Sequence, residues 1–81
     1  MSRDTIYLLD ILQAARLAQM YVAGKTLEEF SRDIQCQDAV IRRLEIIGEA
    51  ARRLSDETRQ SLASIPFNTM ADMRNLLIHE Y

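Results

Sequence analysis

Two long stretches of the chain carry apolar residues at helical spacing, and neither contains a proline. The first covers residues 5–22, where apolar residues recur close to the 3.6-residue period of an α-helix. In the second they step by four, three, four and three residues; these are Val40, Leu44, Ile47, Ala51 and Leu54. The whole chain has two glycines, one proline and no strand-like alternation. The sequence therefore predicts an all-α fold, an up-and-down helical bundle.

Local signals place the first helix boundaries. Gly24 follows the first periodic stretch and predicts the end of that helix, because glycine adopts the left-handed conformation of a helix C-terminus. Thr26, with Glu29 three residues later, forms a capping-box pattern, which predicts the start of a short second helix. We expect this second helix to carry Leu27 and Phe30 into the core.

The remaining boundaries follow from caps and from the proline. A long third helix is predicted to begin near residues 31–33, and Ser55 with two acidic residues after it predicts a fourth helix. Pro66 is predicted to end that short segment, and a last helix to begin at about residue 68 or 69. Gly48 costs about 1 kcal/mol in a helix interior relative to alanine, so its presence indicates that another helix approaches closely there.

Size and charge limit the class of protein. The 81 residues are predicted to form one small helical domain over residues 1–81, whose core would give only a few kcal/mol of net stability without a partner chain. The net charge of −2 and the pI near 5.3 oppose a general attraction to nucleic acid, although a local basic cleft is compatible with them. Without an apolar run of about 18 residues or a signal-peptide pattern, we expect a cytoplasmic protein.

The single cysteine, Cys36, excludes an intramolecular disulfide and any zinc site built from several cysteines. A catalytic thiol would need an activating base, and His79, the only histidine, is 43 positions away. We therefore expect Cys36 to behave as a small, buried apolar residue.

The last eight residues hold most of the side chains that could do chemistry, among them Arg74, Asn75, His79 and Tyr81. In RNA cleavage without a metal, a neutral imidazole can take the proton of a 2'-hydroxyl while a guanidinium holds the scissile phosphate. The plainer alternative is that His79 only interacts with the helix dipole and that Arg74 pairs with an acidic neighbour on the surface, Asp72 or Glu80.

Three blocks of sequence resemble one family. Residues 42–50 read Arg-Arg-Leu-Glu-Ile-Ile-Gly-Glu-Ala, residues 65–67 read Ile-Pro-Phe, and residues 73–81 read Met-Arg-Asn-Leu-Leu-Ile-His-Glu-Tyr. In this order they resemble the HepT-like toxins of the HEPN superfamily, whose blocks are Arg-x-Leu-Glu-Ile-Ile-Gly-Glu-Ala, Ile-Pro-Trp and Met-Arg-Asn followed by His-x-Tyr. That family carries a further helix after its His-x-Tyr, so we expect this HEPN-like bundle to lack the last helix.

The resemblance implies a function and its residues. It implies a metal-independent endoribonuclease toxin of a type VII-like toxin–antitoxin pair, without a cofactor, whose composite active site lies at a homodimer interface. Arg74 and His79 would be catalytic, with Asn75 and Glu49 supporting them. A cognate MntA-like nucleotidyltransferase antitoxin would silence the toxin by transferring AMP to Tyr81, which adds charge and bulk where RNA phosphate should bind.

Several alternatives stay open at the level of the sequence. The chain could instead be a non-catalytic nucleotide- or RNA-binding helical module that acts as the partner of a nucleotidyltransferase, or a purely structural dimer module. Glu49 could orient Arg74 or His79, or could simply pair with Arg52 or Arg53 on its own helix. The basic residues of the third helix form either a solvated face or a track for RNA; they are Arg42, Arg43, Arg52 and Arg53.

Overall fold

A computed structural model describes residues 2–80, with Glu80 described for its backbone only. The helices of this part of the chain are α1 (Arg3–Val22), α2 (Leu27–Arg32), α3 (Ile34–Arg53), α4 (Asp56–Ser61) and α5 (Phe67–Glu80). Residues 2–80 contain no strand. The all-α prediction is therefore confirmed, with three longer helices joined through two single-turn or slightly longer ones.

Polar caps mark four helix starts: those of α2, α3 and α4 confirm the prediction, whereas α1 begins at Arg3, before the predicted residue 5. The side chains of Ser2, Thr26, Asp33 and Ser55 each accept a hydrogen bond from the backbone amide three residues later. At Thr26 the reciprocal bond from the glutamate of the capping box is also present. Gly24 has a φ of +75°, which lets the chain turn sharply after α1. These local bonds satisfy amides that a helix cannot pair internally.

Two expectations about the short segments are wrong. Leu27 is 83% exposed, because it is the first residue of a six-residue helix and only Phe30, one turn later, reaches the half-buried side. The helix α4 ends at Ser61, so Pro66 does not terminate it directly. The helix α5 begins at Phe67, close to its predicted start at about residue 68 or 69, and the carbonyl of Pro66 accepts the first helical hydrogen bond.

The helix α3 lies between α1 and α5 and packs against both. The innermost residues are Ala51, Leu54 and Phe67, and five half-buried side chains pack around them; these are Tyr7, Leu8, Ile11, Leu62 and Met70. Of the evenly spaced apolar residues predicted in α3, those in its C-terminal half are buried, whereas Val40 and Leu44 are half-buried. The buried ones are Ile47, Ala51 and Leu54. The position of α5 is consequently set mainly by its contact with α3.

Arg59 ties the end of α3 to the start of α5. Its Nη2 donates to the carbonyl oxygens of Ala51 at 3.1 Å and of Arg52 at 2.6 Å, and its Nη1 donates to Oδ1 of Asn68 at 3.1 Å. Carbonyls at a helix C-terminus have no partner within the helix, and a cation there also interacts favourably with the negative end of the helix dipole. One guanidinium thus closes α3 and fixes the first turn of α5.

Cys36 is buried and its thiol donates to the carbonyl oxygen of Tyr21 at 3.4 Å, as expected for a packing residue. Across residues 2–80, none of the helices combines the length and the apolar character needed to cross a bilayer.

Asp4 joins the start of α1 to the start of α4. Its carboxylate accepts hydrogen bonds from the Ser55 amide at 3.1 Å and from the hydroxyls of Ser55 and Thr58. The hydroxyls of Ser55 and Thr58 and the Ser55 amide, in that order, lower the pKa of Asp4 below its usual value of 3.8. Because the folded pKa is depressed, this contribution to stability is present above about pH 3.8 and is lost as pH falls through the folded value.

We therefore expect Asp4→Asn to lower the urea midpoint at pH 7, and we expect the difference from the wild type to shrink below about pH 3.8. Urea unfolding at both pH values measures this. Asp38→Asn, on an exposed part of α3, is the matched control and should change the midpoint little at either pH. A difference that stayed constant with pH would argue against the role given to the Asp4 carboxylate.

Candidate active site on α5

The motif residues lie along α5, but they do not share one face. Arg74 is partly buried on the side that faces α3, whereas Asn75 and His79 are exposed. His79 lies in the last turn of the helix. Because α5 is continuous, five residues separate Arg74 and His79 by about 140° around its axis and by about 7.5 Å along it. Tyr81 lies outside the described residues.

Glu49 and Asn75 hold the guanidinium of Arg74. Its Nε lies 3.3 Å from Oε2 of Glu49, and its Nη1 donates to Oδ1 of Asn75 at 3.1 Å. An arginine has five N–H donors, so these two contacts orient the group without using all of its capacity. This ion pair joins α5 to α3, and among the described side chains it forms in place of a pair with Asp72; the side chain of Glu80, the other surface partner considered, lies outside the described residues.

Of the partners that the sequence leaves open, Glu49 pairs with Arg74 and with both arginines of its own helix. Besides Arg74, its carboxylate pairs with Arg52 at 2.9 Å and with Arg53 at 2.7 Å. Hydrogen bonds from Arg52 and then Arg53, with a smaller contribution from the charge of Arg74, lower the pKa of Glu49 from 4.5 to about 2. Glu49 therefore stays ionised at any pH where the protein would work, and one carboxylate faces three guanidiniums.

A groove of about 300 Å³ lies beside Arg74, between α1, α3 and α5. Its apolar lining includes Ile46, Ala50 and Ile78, and its charged lining balances three arginines against three carboxylates; these are Arg42, Arg53 and Arg74, with Asp10, Glu45 and Glu49. Such a lining gives no broad positive field. An anion in this groove would have to be bound by directed N–H donors such as those of Arg74.

Tyr7 also lines this groove, and the sequence reasoning did not select it. Its place at a helical period in α1 is typical of a core residue, and nothing local distinguishes an aromatic residue beside a groove from one in a core.

For a metal, the described part of the chain brings together no group of three or more His, Cys, Asp or Glu side chains able to hold an ion.

The comparison with family models gives a match over residues 11–81 to the family described as "Ribonuclease HepT-like". The chain belongs to the HepT-like ribonuclease family. The matched residues include all of α3 and α5, so the elements that hold Glu49 and Arg74 together are part of the family domain.

Curated relatives agree with this assignment. A "Probable ribonuclease HepT" of Thermococcus cleftensis is 41% identical over 75 residues, which are 93% of this chain and 68% of the relative. A "Gamma-glutamylcyclotransferase and putative RNase" of Methanocaldococcus jannaschii is 45% identical over 76 residues, 94% of this chain but 34% of the relative. This HepT-like chain therefore spans about two thirds of the first relative and about a third of the second. No solved structure matches it at a significant level.

Proposed function

We propose that this HepT-like chain is a metal-independent endoribonuclease, the toxin of a type VII-like toxin–antitoxin pair. The observation that carries the proposal is the guanidinium of Arg74, fixed between Glu49 and Asn75 on the same helix as the only histidine. A guanidinium held by a carboxylate and an amide is already oriented before substrate arrives, which is how a protein stabilises charge that develops in a transition state. Membership of a ribonuclease family supports RNA as the substrate.

The chemistry follows from the two side chains. His79 accepts the proton of a ribose 2'-hydroxyl, and the 2'-oxygen attacks the adjacent phosphorus. Arg74 donates hydrogen bonds to the phosphoryl oxygens as negative charge builds on them. The bond from phosphorus to the 5'-oxygen of the next nucleotide breaks, that oxygen takes a proton from the protonated His79 imidazole or from water, and the products are a 2',3'-cyclic phosphate and a 5'-hydroxyl.

The active site is proposed to form between two copies of the chain. Within one chain Arg74 and His79 diverge by about 140°, so they grip one phosphate poorly. A two-fold axis can instead bring Arg74 of one protomer beside His79 of its partner. Apolar side chains on α5 support an interface at this place, since Leu76 is 60% exposed and Ile78 is 44% exposed beside the polar motif residues.

Asn75, which the sequence places only in support of Arg74 and His79, is given a more specific role here. Its Oδ1 accepts a hydrogen bond from Arg74, so we assign Asn75 to holding the guanidinium.

Silencing is proposed to occur at Tyr81, two residues beyond His79, through AMP transferred by a cognate MntA-like nucleotidyltransferase. The added phosphodiester would repel RNA phosphate and would crowd His79.

The deciding experiment is cleavage of single-stranded RNA in EDTA by the purified chain, with an intact mass that shows an unmodified Tyr81. We expect cleavage by the wild type and a loss of about 10²-fold or more for Arg74→Ala or His79→Ala, because each removes one catalytic contribution. Arg43→Ala, on α3 and outside the groove, is a control of equal charge change. If no protein cuts RNA but RNA or nucleotide still binds, the chain is instead the non-catalytic partner of a nucleotidyltransferase.

A further inference from the structure

Gly48 lies in the middle of α3, at the point where α5 comes closest. A Cβ atom built on Gly48 would lie 2.1 Å from Cβ of Arg74, 2.6 Å from the carbonyl oxygen of Met70 and 3.0 Å from Cγ of Arg74. Carbon atoms in ordinary contact are about 3.5–4.0 Å apart. The close approach that the sequence predicts is thus confirmed, and its partner is the stem of the candidate catalytic arginine.

The atoms that would clash belong to the rigid part of α5. The Cβ of Arg74 and the carbonyl oxygen of Met70 are fixed by the helix backbone, so a change of rotamer cannot move either of them away. Relief would require α5 itself to shift from α3 by about 1 Å or more, given the distances of ordinary contact. In a closely packed helix pair that shift would carry the guanidinium of Arg74 with it.

Consecutive residues of α3 receive the two ends of one side chain. Gly48 admits the Cβ and Cγ atoms of Arg74, and Glu49 pairs with its Nε at 3.3 Å. A glycine here makes the interior of the helix less stable than an alanine would, so the close approach of Arg74 comes with a local loss of helix stability. The two residues act on different parts of the side chain. Gly48 determines how closely the Cβ of Arg74 approaches α3, and the Glu49 carboxylate orients the guanidinium.

We propose that Gly48 is a positioning residue for catalysis, which sets the distance of Arg74 from the scissile phosphate by letting α5 lie directly on the α3 backbone. This inference rests on the proposed ribonuclease function, since it assigns Gly48 a role through Arg74. It goes beyond packing, because a shift of about 1 Å in a phosphate-binding group can cost about 10²-fold in rate.

The test is Gly48→Ala in the full 81-residue chain, with kcat and KM for RNA cleavage measured beside the wild type and Arg74→Ala. We expect kcat to fall about 10²-fold with a much smaller change in KM, because the misplaced contact matters most in the transition state. We also expect the NMR signal of the Arg74 Nε–H to move, while the helical circular dichroism of the protein is retained.

Two controls separate positioning from stability. Gly24→Ala also replaces a glycine, and it introduces backbone strain at a φ of +75°, yet an added Cβ there meets nothing within 4 Å. Ala14→Val overfills a buried position of α1, far along the chain from the motif. Both should lower the melting temperature and keep kcat within about threefold of the wild type, measured below the melting temperature of every variant.

A Gly48→Ala protein that keeps the wild-type kcat would overturn the proposal. So would a loss of kcat no greater than that of Ala14→Val at equal melting temperature, or a loss of helix content, since Gly48 would then serve the fold as a whole. If the wild type itself does not cut RNA, the ribonuclease proposal fails separately. The Arg74 signal then decides whether Gly48 places that side chain, and an unmoved signal refutes the placement.

Discussion

A heterodimer of one Arg74→Ala protomer and one His79→Ala protomer is expected to cleave RNA at about half the wild-type rate, although each homodimeric variant is nearly inactive. If Arg74 of one chain works with His79 of the other, this heterodimer contains one site that has lost both groups and one that is intact. Recovery from a loss of about 10²- to 10³-fold to about half of the full rate is a large effect. Two affinity tags allow the mixed dimer to be purified and assayed in EDTA.

The same two substitutions placed on a single chain make the matched control. A heterodimer of the Arg74→Ala/His79→Ala double variant with a wild-type protomer has the same composition, but each composite site then lacks one group. We expect it to be as inactive as the single variants. Half-activity in this second heterodimer, with no recovery in the first, would show that Arg74 and His79 act within one chain and would refute the composite site.

A single 2'-deoxyribose at the cleavage position is expected to reduce cutting there to the level without enzyme. The proposed reaction uses the 2'-oxygen of that nucleotide as the nucleophile, so its removal takes away a reactant and not merely a contact. The measurement is gel or mass analysis of an oligonucleotide whose cut site is known from the all-ribose substrate. The all-ribose product should carry a 2',3'-cyclic phosphate.

The control for this second prediction is an oligonucleotide that carries the 2'-deoxyribose at a different position. A 2'-deoxyribose two nucleotides away keeps the nucleophile and should leave cutting within a few-fold of the unmodified RNA. Continued cutting at the deoxy position would mean that water attacks the phosphorus. His79 would then activate that water, and the 2'-hydroxyl would have no chemical role.

Local features of the fold could be predicted from the sequence because they depend on residues three or four positions apart. The cap at Thr26 and its partner Glu29 are an example, since both bonds form within one turn. The outward direction of Leu27 could not be predicted in this way, because it depends on where α2 meets the rest of the bundle. Propensity gives the helix, whereas tertiary packing decides which side is buried.

Contacts between residues far apart in the sequence could not be predicted from local patterns. Asp4 binds Ser55 across 51 positions, and neither residue carries a signal for the other. Glu49 could be assigned to Arg74 or to its own helix, and the structure has both, because a carboxylate with two oxygens can serve several guanidiniums. Gly48 indicates a close approach but not the residue that approaches, which is the fact that matters for the site.

The attachment of α5 is uneven along its length. Arg59 fixes its first turn through Asn68, and Gly48 and Glu49 fix its middle through Arg74. His79 lies one and a half turns past the last of these anchors, on the exposed side. In the proposed dimer the partner protomer would therefore have to orient the His79 imidazole, whereas the Arg74 guanidinium is already oriented within its own chain.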